Sequence, residues 1–246
     1  MKNAGNHAGA HYPGSSRRNF IEHSFKITVV SGIAGMGLLT GCGHKAAAEE
    51  EEISPPEDLM REHGILNRVL LVYDHFLAML ASNQDIPPQP VMDAAGIIHT
   101  FIEAYHEKQE EDFLFPRFEK AGKLTDLVQV LRLQHEQGRI ITGQLLALAR
   151  QPRISTDNDK LKLHDLLSAF IRMYRPHEAR EDTVLFPALR SIVSKHEFDS
   201  LGEDFEKREH QLFGEGGFEE FVDKVAGIEQ QLGIYDLAQF TPKPAH

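Results

Sequence analysis

Two histidine–glutamate pairs have the residue types and the spacing of metal ligands. His106 is followed four residues later by Glu110, and His177 is followed four residues later by Glu181. Because an α-helix turns once every 3.6 residues, the members of each pair share a helix face and lie about 6 Å apart along the axis. An imidazole and a carboxylate placed in this way can bind the same small volume. The spacing therefore predicts a metal site with nitrogen and oxygen ligands.

The two pairs belong to an internal repeat. Leu-Phe-Pro follows each pair, at residues 114–116 and 185–187, and a single histidine precedes each pair. His63 lies 43 residues before His106, and His135 lies 42 residues before His177. A repeat is a strong guide to architecture, since each copy forms one unit of supersecondary structure. Together the copies supply four imidazoles and two carboxylates.

Six donors of this kind suit two metal ions. Each ion would take two imidazole nitrogens, the two carboxylates would bridge the ions, and about one position on each would stay open. Mixed nitrogen and oxygen donors with open positions favour iron over calcium or magnesium, which prefer oxygen. Zinc prefers a closed tetrahedron as a structural ion, and manganese remains an alternative. Cys42 is the only cysteine, which excludes a cysteine-based metal site within one chain.

Four helical segments must position these ligands. Apolar residues at helical period predict helices over residues 57–82, from about 91 toward 115, over 123–150, and from a cap at Ser155 or Asp157 toward 192. Pro176 is expected to kink the last of these. Short connections favour an all-α, up-down-up-down four-helix bundle over 57–192. A C-terminal helical extension over 193–246 contains a further amphipathic helix after residues 214–217, expected to pack on the bundle.

Several residues near the pairs are assigned outer or structural roles. Glu103 is a candidate partner of His106, because ligating imidazoles usually donate their second N–H to a carboxylate or carbonyl. Glu111 and Asp182 are interpreted as solvated helix charges. Tyr174 is interpreted as a core residue near the centre. The surrounding Phe101-Ile102-x-x-Tyr105 and Phe170-Ile171-x-x-Tyr174 match the repeat only if the second copy has two extra residues.

The N-terminal residues have the pattern of an export signal. Arg17 and Arg18 precede an apolar stretch of 13 residues, 27–39, that is too short to span a bilayer comfortably. The arginine pair resembles a twin-arginine signal, and Leu39-Thr40-Gly41-Cys42 resembles a bacterial lipobox. We predict a signal over 1–42, an acidic and proline-containing tether over 43–56, and an extracytoplasmic lipoprotein anchored in the membrane through lipidated Cys42. A plain membrane anchor, or a cytoplasmic tail with a chance arginine pair, is the alternative.

The whole pattern resembles the hemerythrin-like, HHE cation-binding family over roughly residues 57–190. The resemblance implies a non-haem di-iron centre, held by His63, His106, Glu110, His135, His177 and Glu181, that binds dioxygen or nitric oxide. Oxygen-carrying members have another histidine four residues after that of the third helix, where this chain has Arg139. The even set of six is similar to relatives associated with nitric oxide stress and iron–sulfur repair, which carry an extra cysteine-bearing domain that this chain lacks.

Four functions follow from these features. The favoured one is a membrane-tethered di-iron protein that binds dioxygen or nitric oxide. The alternatives are a di-iron oxidoreductase that reduces nitric oxide, peroxide or dioxygen with an unknown electron donor, an iron storage or delivery protein, and a bundle without metal. A ferritin-like site would need a second Glu-x-x-His pair, and Tyr174 stands where its glutamate should be. The net charge of −11 argues against nucleic acid as a partner.

Overall fold

The computed structural model describes residues 53–242, which are helical and contain no strand. The helices are α1 (Pro55–Ala81), α2 (88–121), α3 (Thr125–Ala149), α4 (157–189), α5 (Lys195–Phe213) and α6 (Gly217–Leu232), with a short 3₁₀ turn at Leu237–Phe240. The predicted export signal, including Cys42, and residues 43–52 of the predicted tether lie outside the described residues.

Helices α1 to α4 form a four-helix bundle. α1 packs against α2 and α4, and α3 packs against the same two helices. α5 and α6 lie across α1 and α2. Ile86 and Ile154 make an isolated antiparallel bridge between the α1–α2 and α3–α4 connections. The predicted all-α bundle with C-terminal accessory helices is confirmed, and α5 is a helix whose bounds the sequence patterns had not predicted.

Two of the helices begin at prolines, and both begin earlier than predicted. α1 begins at Pro55, where Ser54 and Glu57 form a capping box, two residues before its predicted start. α2 begins at Pro88, three residues before its predicted start. Proline is tolerated in the first helical turn, since the N–H that it lacks has no partner there. Pro55 and Pro88 are therefore the first residues of helices and not the last residues of the preceding loops.

Helices α2 and α4 contain π-helical segments that end or begin at proposed ligands. These segments span Ile98–His106 and Glu110–Leu114 in α2, and Glu181–Leu185 in α4. Between the members of the first pair, Glu107–Gln109 remains α-helical, so the four-residue spacing acts as expected. Pro176 lies within the α-helical part of α4, and the helix continues beyond it to Leu189. Short π-segments in helices are common at functional sites.

Within residues 53–242 the apolar core consists of two clusters, and the histidines contact both. The larger cluster includes Tyr73, Phe101 and Tyr174. The smaller includes Phe115 and Phe186 and is covered in part by α5. By length and composition α1 is the one described helix that could cross a membrane. Its inner face, however, is buried in this bundle, which accounts for its apolar character.

Candidate metal centre

The structure brings all six sequence-predicted ligands together in the interior of the bundle. Each of them is at most 4% exposed. They form two groups, in each of which one ligand atom per residue lies within 4.8 Å of the others. We call these groups site A, made of His63, His106, Glu110 and Glu181, and site B, made of His135, His177, Glu110 and Glu181. The two glutamates belong to both sites.

Each shared carboxylate lies between one histidine of site A and one of site B. Glu181 Oε2 lies 3.4 Å from His63 Nε2 and 3.1 Å from His177 Nε2. Glu110 Oε2 lies 3.9 Å from His106 Nε2 and 3.4 Å from His135 Nε2. This arrangement matches the bridging position that the donor count predicts for the two carboxylates.

The inward-facing atoms lack hydrogen-bond partners. Both oxygens of Glu110, both oxygens of Glu181 and Nε2 of His63 are buried without a hydrogen bond among the described residues. Unsatisfied buried polar atoms are costly, and a bound cation would satisfy them. In site B, His135 Nε2 and His177 Nε2 lie 3.2 Å apart. Two imidazole nitrogens bound to one ion, each at about 2.1 Å and roughly at right angles, would have a similar separation. The donor set therefore fits metal ions.

Every proposed imidazole ligand is oriented by a second side chain at its Nδ1 atom. The Nδ1 contacts are His63 to Asp182 at 2.7 Å, His106 to Glu62 at 2.7 Å, His135 to Glu111 at 3.1 Å, and His177 to Gln134 at 2.9 Å. An acceptor at Nδ1 fixes the tautomer in which Nε2 carries the free lone pair. In its neutral form, each of the four imidazoles can therefore bind a cation through Nε2.

Three sequence-based assignments of the outer residues were wrong. Glu103 does not contact His106; it lies 3.1 Å from Nδ1 of the largely exposed His99. Glu111 and Asp182 are not merely solvated charges, since each contacts an imidazole of the opposite repeat copy. The repeat contained a signal for the true partners. Two of them directly follow the paired glutamates, and the other two directly precede the single histidines.

The Leu-Phe-Pro motifs place an aromatic ring against each single histidine. Phe115 stacks on His135 with ring centroids 5.6 Å apart, and Phe186 stacks on His63 at 5.5 Å. As with the outer partners, each copy of the repeat supplies the phenylalanine for the other copy's histidine. The rings shield these imidazoles from water and keep their orientation fixed by packing.

Arg139 and Tyr174 form a polar network beside site B. Arg139 pairs with Glu107 at 2.7 Å and with Glu111 at 2.6 Å. It stands at the position where oxygen carriers have their additional histidine, so this chain has a guanidinium there and not a metal ligand. Tyr174 donates to Glu107 at 2.6 Å. Tyr105 instead donates to Glu209 of α5 at 3.2 Å. The two tyrosines thus have different surroundings, which agrees with their mismatch in the repeat.

Burial and neighbouring charges shift the titration of the ligands. Burial lowers the pKa of His135 to about 4, and burial together with the charge of His63 lowers the pKa of His106 well below its usual value. Burial and the Glu181 charge raise the pKa of Glu110. Burial alone would raise the pKa of Glu181, but interactions with His177 and His63 outweigh burial and lower this pKa. Two imidazoles are thus neutral near pH 7, the form that binds metal.

His63 differs from these two imidazoles. Burial alone would lower its pKa, but the hydrogen bond with Asp182 and the negative charges of Glu181 and Asp182 outweigh burial and raise the pKa to about 10. In the metal-free protein, a proton on His63 offsets part of the negative charge of the buried glutamates. Since a metal ion needs the neutral imidazole, metal binding to His63 would release this proton.

Comparison with known proteins places the bundle in a family. Residues 54–189, which run from the cap of α1 to the end of α4, match the family model of the hemerythrin HHE cation binding domain. Uncharacterized proteins of Mycobacterium bovis and of two Mycobacterium tuberculosis strains are 45% identical over 231 residues, or 92% of this chain and 91% of each relative. No solved structure matches. With both sites inside the matched region, this chain belongs to the hemerythrin HHE cation-binding family.

Proposed function

We propose that the protein is a non-haem di-iron protein that binds dioxygen or nitric oxide. Site A and site B would each hold one iron ion, and Glu110 and Glu181 would bridge them. The observation that carries this proposal is that the six donors form two groups of four, each with its own histidine pair, and that both buried carboxylates are shared between the groups.

Iron suits this donor set because imidazole and carboxylate are both common iron ligands, and the described residues contain no cysteine. When bound, a pair of ferrous ions supplies electrons and open positions for a small diatomic ligand. The chain contributes the even distribution of two imidazoles per ion, with Arg139 paired to glutamates at the position of a possible fifth imidazole. With two imidazoles and the shared carboxylates as ligands, each ion would have a position left for the gas. Manganese is the alternative metal.

The first test is anaerobic loading with ferrous iron. The full-length chain should bind two irons, and admitting and then removing dioxygen or nitric oxide should produce a visible band that appears and disappears. His106→Ala should lower the iron content. The matched control His99→Ala should not, because His99 is exposed, contacts Glu103 and belongs to neither site.

Other results would change the assignment. A one-way change to a stable ferric spectrum would contradict reversible binding and favour the oxidoreductase. Iron that binds weakly and exchanges freely would favour storage or delivery. Less than one iron per chain, or the same content in His106→Ala, would contradict the di-iron site itself.

We further propose that the protein is exported and tethered by lipid at Cys42 on the extracytoplasmic side of a bacterial membrane. The support is the order of Arg17-Arg18, an apolar stretch and Leu39-Thr40-Gly41-Cys42. Twin-arginine export carries folded proteins, as that resemblance implies, so iron could be inserted before export. The acidic residues 49–52 would then form part of a solvated tether between the lipid and the bundle.

The tether is tested by Cys42→Ser. In the native bacterial host, the wild-type chain should sediment with membranes and incorporate a labelled fatty acid. The variant should incorporate none, because it lacks the thiol that is acylated. Lys replacement of both Arg17 and Arg18 should separately keep the chain inside the cell. Fatty-acid labelling that persists in Cys42→Ser would contradict the proposal.

A further inference from the structure

Sites A and B are built by the two copies of one repeat, yet their surroundings differ. We infer that the two metal positions are inequivalent, and that site A binds its ion about 10–100-fold more tightly than site B. This inference rests on the proposed two-metal function and adds an order of filling to it. Two independent differences between the copies carry it. Release of the proton from His63 opposes binding at site A, but a divalent ion has twice the charge of that proton, so the same carboxylates favour the ion more strongly.

The first difference is the residue that precedes each single histidine. In site A that residue is Glu62, whose carboxylate lies 2.7 Å from His106 Nδ1. In site B it is Gln134, whose neutral amide oxygen lies 2.9 Å from His177 Nδ1. A carboxylate partner withdraws the Nδ1 proton more strongly than an amide does, and makes Nε2 a better electron donor to a metal ion. Glu62 is completely buried, so its charge is little screened by water.

The second difference concerns the partners of the single histidines. Asp182 lies 2.7 Å from His63 Nδ1, and within residues 53–242 it forms no ion pair with lysine or arginine. Glu111 lies 3.1 Å from His135 Nδ1, but it also pairs with Arg139 at 2.6 Å and with Lys108. Two cations therefore compete with His135 for the charge of Glu111. The carboxylate partner therefore makes His135 in site B a weaker electron donor to a metal ion than His63 in site A.

The two differences add. Both imidazoles of site A contact carboxylates, whereas one imidazole of site B contacts an amide and the other contacts a carboxylate that is shared with two cations. Arg139 also places a positive charge beside His135 that has no counterpart beside His63 in the described residues. Because the bridging carboxylates are common to both sites, they do not remove this asymmetry. A divalent cation should therefore enter site A first.

The test is a calorimetric titration of the full-length metal-free chain with ferrous iron under nitrogen. Two binding steps should appear, with dissociation constants about 10–100-fold apart. His135→Ala should keep the tighter step, and His63→Ala should keep only the weaker one. Glu62→Gln should weaken the tighter step by about 10-fold and bring the two steps together. Gln134→Glu should strengthen the weaker step.

Asp182→Asn provides a second route to site A. Its side chain is about one-third exposed, so this substitution leaves the core intact even if Glu62→Gln disturbs folding. It too should weaken only the tighter step. Two ions that bind with equal affinity in the wild type, or a tighter step that both substitutions leave unchanged, would overturn the inference and leave the di-metal proposal standing. Binding of no ion would instead contradict the proposed function.

Discussion

Glu181→Gln is expected to remove both metal ions, whereas His135→Ala removes one. The Glu181 carboxylate lies against His63 of site A and His177 of site B, so both ions would lose a charged oxygen donor. A glutamine amide offers one neutral oxygen and cannot bridge. Outer partners alone change metal affinity about 10–100-fold, so the loss of a direct donor to both ions should be larger. His135 belongs only to site B, and site A keeps its four residues.

Metal content per folded chain, measured after desalting, distinguishes the two variants. Glu181→Gln should fall from two ions to well below one, and His135→Ala should retain about one. The matched control is Glu178→Gln, the same change three residues earlier in α4. Glu178 is also buried, but it accepts a hydrogen bond from Asn67 and belongs to neither site. Two ions retained by Glu181→Gln would show that the carboxylate does not bridge.

The sequence predicted the bundle and the convergence of the six side chains because both depend on periodicity. The prediction that His106 and Glu110 share a face required only that the turn between them be α-helical, and Glu107–Gln109 is α-helical. The π-segments that flank this turn could not be predicted, since the spacing of apolar residues does not distinguish a short π-segment from α-helix. The repeat predicted that the six side chains converge, but not which histidine lies against which glutamate; the structure places His63 against Glu181 across the bundle.

The outer residues were harder to predict because hydrogen-bond partners depend on side-chain direction. Glu103 is one turn from His106 and was a reasonable candidate, but Glu62 on α1 occupies that place. The repeat does indicate the true partners, because they occupy equivalent positions in the two copies. Glu62 corresponds to Gln134, and Glu111 corresponds to Asp182. Helix α5 also had a readable start, because Ser194 and Glu197 form a capping box. What no pattern indicated is that α5 would bring Glu209 to Tyr105.

The largest expected effect on stability comes from Gly138→Ala. A β-carbon at this position would lie 2.0 Å from the Tyr174 hydroxyl oxygen and 2.8 Å from its Cζ atom. The tyrosine cannot easily withdraw, because it is buried, stacks on Phe170 at 4.3 Å and donates to Glu107 at 2.6 Å. Overpacking costs about 1–3 kcal/mol, and loss of a buried hydrogen bond adds about 1 kcal/mol or more. Helix propensity offsets about 0.5–1 kcal/mol of this loss, so the free energy of unfolding should fall by roughly 1–3 kcal/mol.

Gly143→Ala on the same helix is the matched control. A β-carbon there meets no atom within 4 Å, so the variant should gain about 0.5–1 kcal/mol from helix propensity. Denaturant unfolding of the metal-free chains, followed by far-ultraviolet circular dichroism, measures both. Adding Tyr174→Phe to Gly138→Ala removes the clashing oxygen, so the double variant should be more stable than the sum of the single effects predicts. Equal stabilities of the two alanine variants would show that Tyr174 is free to move, and that its bond to Glu107 does not fix the network beside site B.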